Sequence, residues 1–167
     1  MENRDDFLKL DDSALSACCE LGFFKGSGNG GQKRNKSSSA VRVYLKAFDL
    51  SASDCTERSQ HRNRANALAK LRHSLALTVR ETPAEPPERM ECALNYPSYP
   101  LFLAHLLDVA AEQGWELKPA AARLGVTPTA LVKLFARDPA LWTHVNAART
   151  AAGLPALRRD SDRLSRV

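Results

Sequence analysis

KGSGNGGQKRNKSSSAVR, residues 25–42, sets Gly26, Gly28, Gly30 and Gly31 against a stem of cations, Lys25 on one side and Lys33, Arg34 and Lys36 on the other. How this stretch is read decides the fold. Gly26, Gly28 and Gly31 spell G-x-G-x-x-G, which in a dinucleotide-binding fold lies between a strand and a tightly packed helix. The continuation QKRNKSSS opens a helix poorly, and the next residues alternate. VRVYLK, residues 41–46, puts Val41, Val43 and Leu45 on one face and Arg42, Tyr44 and Lys46 on the other. That is the period of a half-buried strand. A phosphate-binding P-loop needs Gly-Lys-Ser/Thr, and here Gln32 separates Gly31 from Lys33. Neither nucleotide-binding reading survives, and the glycine loop leads into a sheet.

Outward from that strand, residues 47–55 turn and return as a second, weaker strand. From Ser59 the period changes: Leu68, Leu71, Leu75 and Val79 recur at helical spacing, with Arg62, Asn66, Lys70 and His73 on the surface. Residues 59–79 therefore read as a basic amphipathic helix packed on the sheet. Before the loop, LDDSALSACCELGFF reads as a short helix turning into a strand. After residue 80, ETPAEPPERME carries three prolines and four glutamates, a semi-stiff, solvated linker whose acidity keeps it off a polyanion.

The rest is helical and well punctuated. Ser98 is placed to cap a helix running to Gly114, with Leu103, Leu106, Leu107 and Ala110 on one face. KPAAARLG is a short helix stopped by Gly125. Thr127-Pro128 opens another, carrying Leu131, Leu134 and Phe135, and Asp138-Pro139 a fourth, carrying Leu141, Trp142 and Val145 and ended by Gly153. The expected architecture is α+β: residues 1–80 as a short sheet with a packed amphipathic helix, 81–96 as a Pro/Glu-rich linker, 97–157 as a small all-α bundle and 158–167 as a polar tail. Ala120–Arg137 resembles a helix-turn-helix whose second helix offers Thr127, Thr129, Lys133 and Arg137 outward. An ordinary helix pair with apolar packing is the competing reading.

Among the 167 residues, 44% are hydrophobic, which excludes wholesale disorder, and no apolar run is long enough to span a bilayer. The acidic N-terminus lacks the layout of a secretory signal, so the expectation is a soluble, cytoplasmic protein with no membrane partner. Cys18, Cys19, Cys55 and Cys92 form no C-x-x-C pair and are expected as free, buried thiols, and the four scattered histidines make no metal pattern. Residues 25–80 hold twelve Lys/Arg against three Asp/Glu, whereas residues 1–24 hold two against six. Such a cationic block points to a polyanion, most simply nucleic acid.

Glycines allow positive φ and close approach of backbone to a partner, and exposed amides can face an oxyanion. Near the loop there is no nucleophilic triad and no paired carboxylates. A catalytic role for it then amounts to positioning water and stabilising charge with backbone dipoles, the partner supplying the rest of the site.

SGNGGQKRNKSSSAVR resembles the Gly-Gly-Gln segment of class I peptide chain release factors, and ERSQHRNRANALAKLR resembles the helix that comes after it there, in order and at matching separation. The resemblance covers about residues 20–80 and implies a small α+β catalytic domain of the translation-termination type. It implies hydrolysis of the peptidyl-tRNA ester in the ribosomal peptidyl transferase centre; the departures given below turn that expectation to codon-independent release of nascent peptide from stalled ribosomes or free large subunits. Gly30 and Gly31 would give the backbone its unusual conformation, and the N–H of Gln32 would stabilise the transition state or the leaving ribose oxygen. The Gln32 side chain would admit water and exclude larger nucleophiles, and by similarity it is a candidate for N-methylation. The cations Lys25, Lys33, Arg34 and Lys36 flanking the loop are placed to hold ribosomal RNA phosphates, Lys33 and Arg34 standing where the family often has His-Val. Ribosomal RNA contact is expected also of Arg42, Arg58, Gln60, His61 and Arg62, and loop support of Ser27, Gly28, Asn35 and Ser39, while Ser59 and Asn63 match the second block. For these flanking positions, helix capping or a plain polar turn is the alternative. Implied partners are large-subunit rRNA and peptidyl-tRNA, with no cofactor, no metal and a monomeric chain.

There are departures. The family's hairpin His-x-Pro-Thr-Gly reads here as Leu45–Asp49, LKAFD, so that turn is expected to be built differently. Two dozen residues precede the loop, too few for a stop-codon-reading domain, and the ending RRDSDRLSRV is unlike the long lysine-rich tail of one ribosome-rescue type. Two other functions compete: a ribosome-bound assembly or quality-control factor that docks without hydrolysis, and a nucleic-acid-binding regulator led by the helix-turn-helix-like segment. The intact Gly30-Gly31-Gln32 argues against the first, and the charge centred on the loop against the second.

Overall fold

Strand β2, Ala40–Leu45, is hydrogen-bonded along both edges. The computed structural model describes residues 3–24, 39–83 and 92–158. Its chain divides into two compact units, Met1–Val79 and Arg80–Val167. Together they make an α+β protein with a helical C-terminal region.

In the first unit, β1 (Glu20–Phe24) and β3 (Leu50–Asp54) flank β2 antiparallel, in the order β1-β2-β3. The predicted alternation holds: Val41, Val43 and Leu45 are buried and pair in register with Asp54, Ala52 and Leu50. Paired residues share a face of an antiparallel sheet, and on that face lies α3, Gln60–Thr78, burying Ala67, Leu68, Leu71, Leu75 and Ala76. Each large aliphatic side chain so buried contributes about 1.5–3 kcal/mol. Val79, read as part of the helical stripe, instead ends the helix in extended conformation, its N–H donating to Leu75 O. β1 behaves differently. All five of its residues are exposed, because α3 packs over β2 and β3.

The β2–β3 turn is a single 3-10 turn, Lys46–Phe48, closed by Asp49 at φ +52°. Asp49 also accepts from the Tyr44 hydroxyl at 2.9 Å. The hairpin is thus built locally around that acid.

Ahead of the sheet stand two six-residue helices, α1 (Arg4–Lys9) and α2 (Asp12–Ala17), capped by Asn3 and Asp11. The sequence anticipates α2 but not α1. Arginines fasten both to α3: buried Arg4 donates to Val79 O at its C-terminal end at 2.8 Å, and Arg72 within it donates to Leu10 O at 2.8 Å and pairs with Asp12. Phe7 meets Phe48 edge-on at 5.5 Å.

The second unit comprises α4 (Tyr99–Glu112), α5 (Leu117–Arg123), α6 (Pro128–Ala136) and α7 (Pro139–Ala151). Leu103, Leu106, Leu107, Ala110, Leu131, Phe135, Leu141 and Val145 are buried, as their periodicity requires. Two details correct the sequence reading. Ser98 precedes α4 but makes no side-chain cap bond, since its own backbone is already helical at φ −80°, ψ −5°. The helix also stops at Glu112, and the chain turns through Gly114 and Trp115, both at positive φ. Asp138 does cap α7, accepting from Ala140 and Leu141 N–H, while its other oxygen takes the buried Tyr99 hydroxyl at 3.0 Å. Arg149 donates to Trp115 O and Pro155 O, tying the turn after α4 to the segment after α7.

The four cysteines are free, as expected, but half-buried rather than buried. They sit at turns and element ends, where packing covers them on one side only. No helix among the described residues is long and apolar enough to cross a membrane.

Candidate functional site

The strand registers fix where the glycine loop is held. Phe24 pairs with Ala40, and Val41 with Asp54. The end of β1, the start of β2 and the end of β3 therefore lie at one end of the sheet, and α3 begins six residues after β3 ends. Gly30, Gly31, Gln32, Lys25, Lys33, Arg34, Lys36, Ser27, Gly28 and Asn35 lie outside the described residues. Their neighbours on both sides are described: Phe24 on β1 and Ser39 at the start of β2.

The residue that organises this end is Asn63, in the first turn of α3 and 0% exposed. Its Nδ2 donates to Ser39 O at 2.7 Å and to Glu57 O at 2.9 Å, and its Oδ1 accepts from Glu57 N at 2.8 Å. One amide thereby joins the exit of the glycine loop to the approach to α3. Every bond is to backbone, so the clamp needs an amide's two donors and acceptor together. Ser59 caps the helix, accepting from Arg62 N–H.

A second anchor lies across the ladder from Val41. Asp54, 4% exposed, accepts from Lys70 Nζ at 2.6 Å and from the Thr56 hydroxyl and N–H at 2.7 and 3.0 Å. Burial alone pushes this carboxyl up. The Lys70 ammonium and the Thr56 donors outweigh it and hold the group well below the usual carboxylate range. The Asp54–Thr56 bonds form an Asx-turn that redirects the chain from β3 towards α3.

Around these anchors the cationic block faces water. Arg58, Gln60, His61 and Arg62 are exposed, and Arg62 makes a 3.7 Å surface pair with Glu57, a contact worth little by itself. Arg42 belongs to the sheet face opposite α3 and lies over the Phe24 ring at 6.0 Å from its centroid. His61 and Arg64 of α3 face Asp12, Ser13 and Ser16 of α2 across a cleft of about 320 Å³. The structure thus brings Ser39, Arg58, Gln60, His61 and Arg62 to one end of the sheet. Arg42 stands two residues along on the other face. No cluster of His, Cys, Asp or Glu among the described residues has the makings of a metal site.

Asp54 and Lys70 are not among the residues the sequence singles out for the site, and Asn63 is noted there only as matching a block. Asn63 does carry a signal. It sits one turn before Ala67, in line with the apolar stripe through Leu71 and Leu75, where a polar residue needs a buried partner.

The model of a protein family described as the RF-1 domain matches residues 12–95, half of the chain, from α2 through the sheet and α3. A segment of 61 residues is 48% identical to peptide chain release factor 1 of Leptothrix cholodnii; it amounts to 36% of this chain and 17% of that protein. The chain therefore covers about a sixth of the length of that relative.

Proposed function

The chain belongs to the RF-1 domain family of class I release factors, and on that premise we propose that it hydrolyses the ester joining a nascent peptide to tRNA, on the ribosome and without reading a codon. The observation that carries this reading is the Asn63 clamp. It fixes the exit of a Gly-Gly-Gln loop to a rigid sheet–helix corner ringed by exposed Arg58, Gln60, His61 and Arg62. A loop that acts by backbone geometry needs such an anchor, because catalysis by positioning is lost when the positioning group drifts.

In this reaction water attacks the ester carbonyl carbon, and the bond to the ribose oxygen breaks. The products are a peptide acid and tRNA with a free hydroxyl. Gln32 N–H donates to the developing oxyanion or to the leaving oxygen, and the Gln32 side chain restricts the nucleophile to water. One such donor contributes about 3–4 kcal/mol, or 10²–10³ in rate. Ribosomal RNA supplies the remaining groups, and the cationic stem (Lys25, Lys33, Arg34, Lys36) holds its phosphates. Arg42, Arg58, Gln60, His61 and Arg62 extend that contact, while Ser27, Gly28, Asn35 and Ser39 support the loop. The release from stalled ribosomes or free large subunits, rather than at stop codons, rests on what accompanies the matched segment: a helical unit, α4–α7.

The test is peptide release from purified complexes carrying labelled peptidyl-tRNA, programmed with a stop codon, a sense codon or truncated mRNA, together with isolated large subunits. Gly31→Ala and Gln32→Ala are compared with wild type, and Gln32→Pro removes the proposed N–H donor. The expectation is release without a stop codon and a loss of about 10²–10³ in rate for Gln32→Pro. Binding without release on every complex, unchanged by these substitutions, would establish a docking factor instead.

A further inference from the structure

Helices α5 and α6 are joined by a four-residue turn, residues 124–127. Gly125 takes φ +67°, Val126 N–H returns to Ala121 O at 3.0 Å, and Thr127 Oγ1 caps α6 by accepting from Ala130 N–H at 3.1 Å. Ala121, Leu124, Leu131 and Phe135 are buried beneath the pair. The opposite side of α6 carries Thr129, Lys133 and Arg137 at intervals of four residues, and all three are exposed. From Leu117 to Arg137 the chain has four cations and no carboxylate. Lys133 and Arg137 have no carboxylate within ion-pairing distance among the described residues.

We propose that this face of α6 is a second nucleic-acid contact, made to the phosphate backbone of ribosomal RNA and indifferent to sequence. Its chemistry separates it from a gene-regulatory helix. The bidentate base contacts that discriminate best in a major groove come from Arg, Asn or Gln at the start of the recognition helix, and α6, capped by Thr127, begins Pro128, Thr129, Ala130. Threonine hydroxyls and a Lys–Arg pair one turn apart are phosphate ligands. The choice of RNA over duplex DNA rests on the proposed function, which already places the first unit on ribosomal RNA. A second weak contact in the same chain then acts at a raised effective concentration.

The experiment measures binding of the full chain to purified large ribosomal subunits across a salt series. It compares wild type with Lys133→Gln/Arg137→Gln and with Thr129→Glu, which leaves both cations in place but opposes phosphate on the same face. Far-UV circular dichroism checks that each variant is folded. The double variant is expected to lower the slope of log K against log salt by about 1 to 2, and Thr129→Glu to weaken binding with the fold intact. Folded variants that bind with unchanged affinity and slope overturn the proposal. So does tighter binding of wild type to duplex DNA than to ribosomal RNA, with loss of that DNA binding in the double variant. Gln32→Ala is carried in parallel. Its binding slope is expected to match wild type, so a failure of the hydrolysis reading would leave the α6 measurement interpretable.

Discussion

Among the described residues, Asn63 is the side chain that ties Ser39 at the loop exit to the approach to α3. Replacing it with alanine leaves Ser39 O, Glu57 O and Glu57 N–H without their partner. Each buried polar group stranded in this way costs about 1–3 kcal/mol, part of which water recovers. Asn63→Ala is therefore expected to lower the unfolding free energy by about 2–4 kcal/mol in urea titrations. Asn63→Asp is expected to be worse, because a carboxylate cannot donate to two carbonyls. Asp54 makes a different prediction. Its folded-state carboxyl is held low by Lys70 and Thr56 against the opposing effect of burial. Its contribution is then fully present above the unfolded value of about 3.9 and is lost as the pH falls below it. Urea midpoints measured between about pH 5 and pH 2 should drop more steeply for wild type than for Asp54→Asn. Asn63 shows in the sequence only through the stripe it continues, and Asp54 does not stand out at all. A polar residue in a helix reads as surface until the stripe it continues is known, and Asp54 looks like any acid at a strand end until Lys70, one helix later in the chain, is brought back over it.

At the scale of elements, the parts legible in the sequence are those with a strong period or strong punctuation. β2 alternates, α3 repeats leucine at helical spacing, and α5, α6 and α7 are marked by Gly125, Thr127-Pro128 and Asp138-Pro139. Elements without either signal stay silent. α1 is six residues long, too short to show a helical period, and is announced only by Asn3 and the acids Asp5 and Asp6 of its first turn. Ser98 is a good cap by type, yet a serine that is itself helical cannot turn its hydroxyl onto the next turn's amides. The α5–α6 turn offers a direct check. A Cβ at Gly125 would meet nothing within 4 Å, so the cost of Gly125→Ala is that of holding φ +67°. That cost is about 1–2 kcal/mol, measured as a lowered unfolding midpoint. Thr127→Ala, which removes the α6 cap, is expected to cost about 1 kcal/mol.

At the scale of the whole molecule, each unit has its own core. The apolar residues under α3 all fall within Met1–Val79, and those of α4–α7 within Arg80–Val167. A chain ending at Pro83 is therefore expected to unfold in one cooperative transition by circular dichroism. It should keep a loop-dependent affinity for large subunits, with a smaller salt slope than the full chain if α6 contributes its contacts. The closed register at Phe24↔Ala40 and the Ser39–Asn63 bond have a further consequence. The sheet and α3 are complete at that doorway, whatever is threaded between its two posts. Chain-closure entropy alone raises the cost of a longer insert by only about 0.6 kcal/mol for each doubling in length. The first unit is in that sense a socket: a chain with residues 25–38 exchanged for another sequence is expected to keep the sheet and α3, and Asn63→Ala is expected to weaken the grip at Ser39.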